Sequence, residues 1–220
     1  MSKKAPRQTA QRILTTALAL FNRYGEPQVS TTLIAAELDI SPGNLYYHYP
    51  AKDTLVNALF ERYASDLDAL LIAAGQVRHV EDAWFLLHSL FELNWQYRFL
   101  YRDLNHLLSR NRHLETRIRE VMANEVAAAR NLLAGLCHAG SAVMTEQDQL
   151  ATANCLVVVL TYWLSFEYVR DPRHALEPEY GQTAALQGAH HALGLLAPFL
   201  TPVQQTHIRT LQDAYTIPVD

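Results

Sequence analysis

The sequence predicts an all-α protein: an N-terminal three-helix domain with a helix-turn-helix, followed by a larger C-terminal helical bundle, about nine or ten helices in total. Three observations predict it. Glycine and proline are scarce, eight and nine in 220 residues, and fall mostly between periodic segments. Apolar residues recur at helical spacing along most of the chain. Strand signals are nearly absent, because the β-branched run beginning at Cys155 (CLVVVLT) lies inside an apolar pattern from Ala151 to Val169 that is too long for a strand.

The elements follow in order. A first helix from Arg7 to Tyr24 buries Ile13, Leu14, Ala17, Leu18 and Phe21, and Gly25 supplies a left-handed stop. Ser30 caps a short second helix, Thr31 to Leu38, and Asp39 and Ile40 make a tight turn. Ser41 and Pro42 open a third helix as a cap residue and a proline whose missing N–H costs nothing there. Pro50 ends it. A fourth helix from Lys52 to Ala74 joins the two parts without a flexible linker. Further helices are expected at Val80–Arg98, Phe99–Ser109, His113–Ala139, Thr145–Arg170, Thr183–Leu200 and Pro202–Tyr215. Thr145 with Asp148 resembles a capping box. Residues 171–181 form a loop.

Composition excludes several classes. Half the residues are apolar and 18% charged, which argues against disorder. Cys137 and Cys155 cannot build a disulfide framework and read as buried, inert thiols in a cytoplasmic protein. The basic N-terminus runs into no apolar signal core, and no stretch reaches about 18 uninterrupted apolar residues, so no membrane association is expected. Neither a phosphate-binding loop nor a metalloprotease motif occurs, and His190 and His191 point to different helix faces. The expectation is a non-enzyme that needs neither cofactor nor metal. The net charge of −4 conceals an asymmetry: residues 1–63 hold seven Lys or Arg against five Asp or Glu, and residues 64–220 hold eleven against seventeen. Lys3, Lys4, Arg7 and Arg12 precede any acid, a local field that attracts polyanions.

The stretch from Ser30 to Lys52, STTLIAAELDISPGNLYYHYPAK, carries the functional signal. Two short helices joined by a tight turn describe a helix-turn-helix, whose second helix can enter a DNA major groove. At about 100° per residue, Leu45 and Tyr49 lie about 40° apart and define the inward side, toward Ile34 and Leu38. Gly43, Asn44 and Tyr47 fall on the opposite side, flanked by Tyr46 and His48. Water-facing helix positions normally hold lysine, glutamate or glutamine. Here they hold contact chemistry: asparagine pairs with an adenine edge, an aromatic ring meets a thymine methyl, and hydroxyl and imidazole groups donate to phosphate. Gly43 permits close approach, and Lys52 adds a cation. A tyrosine face that docks a partner protein is the alternative reading.

The stretch ILTTALALFNRYG from Ile13, followed by LIAAELDISPGNLYYHYPAK from Leu33, resembles the N-terminal domain of the TetR family of bacterial transcriptional regulators. The resemblance implies that the third helix reads the major groove, that the starts of the second and fourth helices grip phosphates, and that a larger helical domain dimerises and binds a ligand. Carried over by position, the DNA contacts are Thr31, Thr32, Ser41, Pro42, Gly43, Asn44, Tyr46, Tyr47, His48 and Lys52. Three residues depart from the family pattern. Tyr49 replaces a phenylalanine, Ala51 stands where serine often caps the fourth helix, and Thr32 replaces a frequent arginine.

Residues 1–51 are therefore expected to bind double-stranded DNA, and residues 52–220 to dimerise and bind a ligand, with helix 52–74 as connector. The expected function is a homodimeric regulator, a repressor released from a palindromic operator by a small apolar or aromatic molecule. A DNA-binding regulator without an inducer is a variant of the same reading. Aromatic residues with interspersed polar groups, Trp84, His88, Phe91, Trp95, Tyr101, His106, Trp163 and Phe166, are candidates for an apolar pocket.

Overall fold

Most helix starts fall within two residues of where the sequence predicts them, with side-chain caps at Ser30, Ser41 and Thr145. The structure is a computed structural model that describes residues 6–175 and 177–214; Lys3, Lys4 and the Arg7 side chain lie outside the described residues. Among the described residues there are eleven α-helices: α1 (Pro6–Tyr24), α2 (Thr31–Glu37), α3 (Pro42–His48), α4 (Lys52–Ile72), α5 (Val80–Gln96), α6 (Arg98–Arg102), α7 (Leu104–Arg110), α8 (Arg112–His138), α9 (Glu146–Arg170), α10 (Gly181–Gly194) and α11 (Pro202–Ala214). They contain no strand, and Ala142 and Leu200 form an isolated antiparallel bridge. At Thr145 the capping box forms: the Thr145 hydroxyl accepts the Asp148 N–H at 3.1 Å, and the Asp148 carboxylate accepts the Thr145 N–H at 3.0 Å.

Two expected helices differ. The segment 99–109 is not one helix but α6 and α7, broken at Asp103 (φ −103°, ψ 13°). The break is set at long range, since the Asp103 carboxylate accepts the Glu26 N–H at 2.9 Å. The helix expected to reach Leu200 ends at Gly194, and a short 3-10 turn, Ala197–Phe199, follows around Pro198. Proline has no N–H to continue the ladder.

The chain forms two compact units, grouped differently from the expected functional division at residue 51. One comprises the described residues up to Ala64 with Tyr97–Arg117, the other Ser65–Gln96 with residues 118 onward. In the first, Ile13, Phe21, Ile34, Leu45, Leu55 and Leu59 are buried. Phe21 packs on Phe99 with ring centroids 5.2 Å apart, and the Asn22 side chain accepts the Phe99 N–H at 3.1 Å. The Tyr63 ring meets Tyr97 edge-on at 5.6 Å, and its hydroxyl hydrogen-bonds that of Tyr101. These contacts bring α6 and α7 into the N-terminal unit.

In the second unit α5 packs chiefly on α10. Small residues make this possible: a Cβ on Gly188 would lie 2.6 Å from the Phe91 ring, and one on Gly181 would lie 2.2 Å from the Trp95 indole. The Asn94 amide donates to the Leu160 carbonyl at 3.0 Å, and the Trp163 indole N–H donates to the Ala184 carbonyl at 2.8 Å. Replacing Gly188 by valine is expected to destabilise this unit by roughly 2–3 kcal/mol through overpacking, seen as a lower urea midpoint at unchanged slope.

Among the described residues α9 is the one helix long and apolar enough to cross a membrane by length and composition alone. Its Ala153, Leu156, Val157, Leu160 and Leu164 are buried, and it packs against α5 and α10.

Candidate nucleic-acid interface

The helix-turn-helix is built by two serine caps and a left-handed turn. The Ser30 hydroxyl accepts the Leu33 N–H at 3.1 Å and opens α2. The Ser41 hydroxyl accepts the Asn44 N–H at 3.2 Å and opens α3, with Pro42 at its first position. Between them Asp39 takes φ +53°, a conformation aspartate tolerates better than most residues, and the Ile40 N–H returns to the Ala35 carbonyl at 3.0 Å. Leu45 and Ile34 are fully buried, which fixes the rotation of α3 about its axis.

That rotation leaves Ser41, Pro42, Gly43, Asn44, Tyr46 and Tyr47 exposed. Tyr47 is 79% exposed and Tyr46 46%. His48 is half-buried, its ring edge-on to Tyr47 at 5.1 Å. The Thr31 and Tyr46 hydroxyls hydrogen-bond at 3.0 Å, tying the start of α2 to α3, and Thr32 is exposed beside Thr31. A tyrosine four-fifths in water on a two-turn helix gains nothing from burial, so its ring and hydroxyl are available for contact. Tyr49, expected to face inward, is half-buried, and its hydroxyl donates to the Ala10 carbonyl at 3.5 Å; burial raises its pKa, partly opposed by the Arg62 charge. At the start of α4 the Thr54 hydroxyl donates to the Ala51 carbonyl at 2.6 Å and accepts the Ala51 N–H at 3.4 Å, while the orphan N–H that a serine at 51 would accept gains no side-chain partner from Ala51.

Lys52 is placed differently from the other candidates. Its ammonium lies 2.8 Å from a Glu26 carboxylate oxygen and donates to the Glu26 carbonyl at 3.0 Å. The Glu26 side chain is 4% exposed. His106 stands 3.9 Å from its second carboxylate oxygen, and Arg102 donates to the Tyr24 carbonyl at 3.0 Å. Between these anchors Gly25 takes φ +84°, where a Cβ would run into the Arg102 guanidinium at 2.1 Å. Desolvation raises the Asp103 carboxyl, against the lowering effect of the Glu26 N–H bond and the Arg102 charge. Glu26, Arg102 and Asp103 thus hold the loop ahead of the reader. No sequence signal marks them, since the partners are 77 residues apart.

The eight pocket candidates divide between the two units. Trp84 stacks on His88 at 5.8 Å, Phe91 and Trp95 pack against the glycines of α10, and Trp163 is a buried α9 residue. Phe166 is 52% exposed, and Tyr101 and His106 belong to the first unit. Cys155, expected to be buried, is exposed, whereas Cys137 is partly buried, which raises its thiol pKa.

A partly open space lies elsewhere in the second unit. It is a narrow cavity of about 20 Å³, counted as the space open to the centre of a water molecule, and is lined by Leu71, Ala74, Leu86, Leu87, Leu90, Glu125, Ala128, Ala129, Leu132, Leu156 and Leu160. Glu125 is 5% exposed, and desolvation alone pushes its carboxyl up to about 8. The sequence did carry a signal for it: Val121, Glu125, Ala128 and Leu132 repeat every three or four residues, which puts one acid in an apolar stripe.

A capped two-helix reader with a contact-rich outer face, carried on an all-helical scaffold, defines the class of helix-turn-helix transcriptional regulators. Family models agree: one described as bacterial regulatory proteins of the tetR family matches residues 13–59, and one described as a bacterial transcriptional repressor matches residues 62–208. The chain belongs to the TetR family. A TetR-family transcriptional regulator from Marinobacter aquaeolei VT8 is 33% identical, over 94% of this chain and 98% of its own, with a TM-score of 0.82. Two more distant structures share the fold. GusR of Salmonella enterica is 20% identical over 90% of this chain and 97% of its own, with a TM-score of 0.59. The SmeT–triclosan complex is 19% identical over 89% and 93%, with a TM-score of 0.61. No curated protein matches the sequence.

Proposed function

We propose that the protein is a cytoplasmic, homodimeric repressor that binds a palindromic operator through α3 and is released by a small, largely apolar ligand held in its helical domain. The outer face of α3 carries the reading: Gly43, Asn44, Tyr46 and Tyr47 are exposed around a fully buried Leu45. Asn44 and Tyr47 read base edges, while Thr31, Thr32, Ser41, Tyr46 and His48 position the helix on phosphates. The pairing of Lys52 with Glu26 leaves its charge near the DNA as a screened field rather than a free contact.

Dimerisation is supported by α9. Leu150, Val158, Tyr162, Phe166 and Val169 are exposed on it at roughly helical spacing, an apolar stripe suited to a second copy. Two readers so paired meet half-sites about one DNA turn, ~34–36 Å, or a multiple of it apart. Ligand release follows if the ligand favours a geometry in which the readers no longer match successive grooves; its leverage equals its differential affinity for the two states. That a structural relative is a triclosan complex supports a small-molecule site in this fold.

Operator binding is measured by anisotropy on a duplex selected from genomic fragments. Asn44→Ala and Tyr47→Ala are each expected to cost about 1–3 kcal/mol on that duplex and little on a random one. Equal losses on both duplexes would contradict base reading by these residues.

A further inference from the structure

The cavity of the second unit contains a chemical mismatch. Its walls come from α4 and the turn after it, α5, α8 and α9, and every lining residue except Glu125 is leucine or alanine. Glu125 is 5% exposed, and its carboxyl, which lines the cavity rather than being sealed away from it, makes no hydrogen bond or ion pair among the described residues. An unpaired acid in such a place costs stability, and a leucine or glutamine would serve packing better. Positions that break the local rule without a structural return are where ligand chemistry is expected.

We propose that Glu125 anchors a site for a small lipophilic monocation, a primary alkyl or arylalkyl ammonium whose charge pairs with the carboxylate and whose hydrocarbon lies among the leucines. An ammonium offers the charge and the N–H donors that an isolated carboxylate lacks. A neutral apolar molecule would leave the acid unpaired. A divalent metal would need further ligands, and no group of three or more His, Cys, Asp or Glu able to hold a metal occurs among the described residues. Ala128 and Ala129 are the small residues beside Glu125 on the α8 wall. The cavity as it stands admits a water molecule or two, so the ligand must spread α5, α8 and α9, which gives it different affinities for the closed and open arrangements. The assignment rests on the ligand-responsive reading above and names the chemical class of that ligand.

Binding carries a proton signature. No other lining residue ionises, and the empty protein holds the Glu125 proton up to about pH 8. A cation must displace that proton. Affinity therefore rises with pH below 8, by up to about tenfold per unit, and levels off above it. The alkylammonium stays charged throughout, as lysine does with a pKa near ~10.4.

The test uses the full-length protein with butylamine, hexylamine and benzylamine, each beside its alcohol. Titration calorimetry is run at pH 6.5, 7.5 and 8.5 in buffers of different ionisation heat. The expected result is an amine preference of at least about tenfold at pH 7.5 (~1.4 kcal/mol), with proton release and a loss of preference in Glu125→Gln, a variant that puts a neutral amide where the ligand-free protein holds a neutral acid and so is expected to fold at least as well. Amines that bind no better than alcohols, a preference that survives in Glu125→Gln, or no binding by any amine at millimolar concentration would each overturn the assignment. Operator anisotropy in the same mixtures separates the two readings. Alcohols that release DNA while amines fail would sink the cation site and keep ligand release. Glu125-dependent amine binding that leaves the operator complex intact would keep the site and sink ligand release.

Discussion

Replacing Lys52 by alanine is expected to cost the N-terminal unit roughly 3–5 kcal/mol, the price of leaving a buried carboxylate without its ion partner. The Glu26 side chain is 4% exposed, and the Lys52 ammonium sits 2.8 Å from it and 3.0 Å from its carbonyl. Removing the lysine strands the charge beside Asp103, whose own carboxylate holds the Glu26 N–H. Pairing Lys52→Ala with Glu26→Gln is expected to restore most of the loss, because a neutral amide needs no counter-ion. Urea denaturation followed by circular dichroism checks the magnitude, and hydrogen exchange is expected to place the loss in α1 to α3. A single-variant loss below about 1 kcal/mol, the range of an exposed ion pair, would show that the pair is solvated. The same pair bears on DNA binding: Glu26→Gln alone frees the ammonium, and is expected to tighten binding to random and operator DNA alike and to steepen the salt dependence.

The second large effect concerns pH. Glu125 holds its proton up to about pH 8 in the folded protein, against an ordinary value of 4.5. Between these two values the unfolded chain has released the proton and the folded chain has kept it. The folded state then binds more protons, so stability falls as pH rises through this window. No penalty exists below about pH 4.5, and it is fully developed above about pH 8. The penalty at pH 7 is on the order of 3 kcal/mol. Glu125→Gln is expected to remove this slope and to raise the urea midpoint at pH 8 far more than at pH 5. Parallel profiles for the two proteins would show that the carboxyl is hydrated.

Much of the reader was legible because its causes are local. Ser30, Ser41 and Pro42 act within a few residues of themselves, and the spacing of Leu45 sets which side chains of α3 turn outward. The capping box at Thr145 is equally local. What escaped the sequence was set by distant partners. The break between α6 and α7 occurs at Asp103, which is held by the Glu26 backbone, and the occupation of Lys52 depends on a glutamate in a loop 26 residues earlier. Trp84, Phe91 and Trp163 are buried in the second unit, where Phe91 packs on Gly188 and the Trp163 indole N–H donates to the Ala184 carbonyl.

Selection of genomic fragments with the wild-type protein and with Tyr47→Ala, at one salt concentration, tests base reading by α3 most directly. Enrichment of a single inverted repeat by the wild type, lost or degenerate with Tyr47→Ala, is the predicted result. Indistinguishable fragment pools from the two proteins would contradict it.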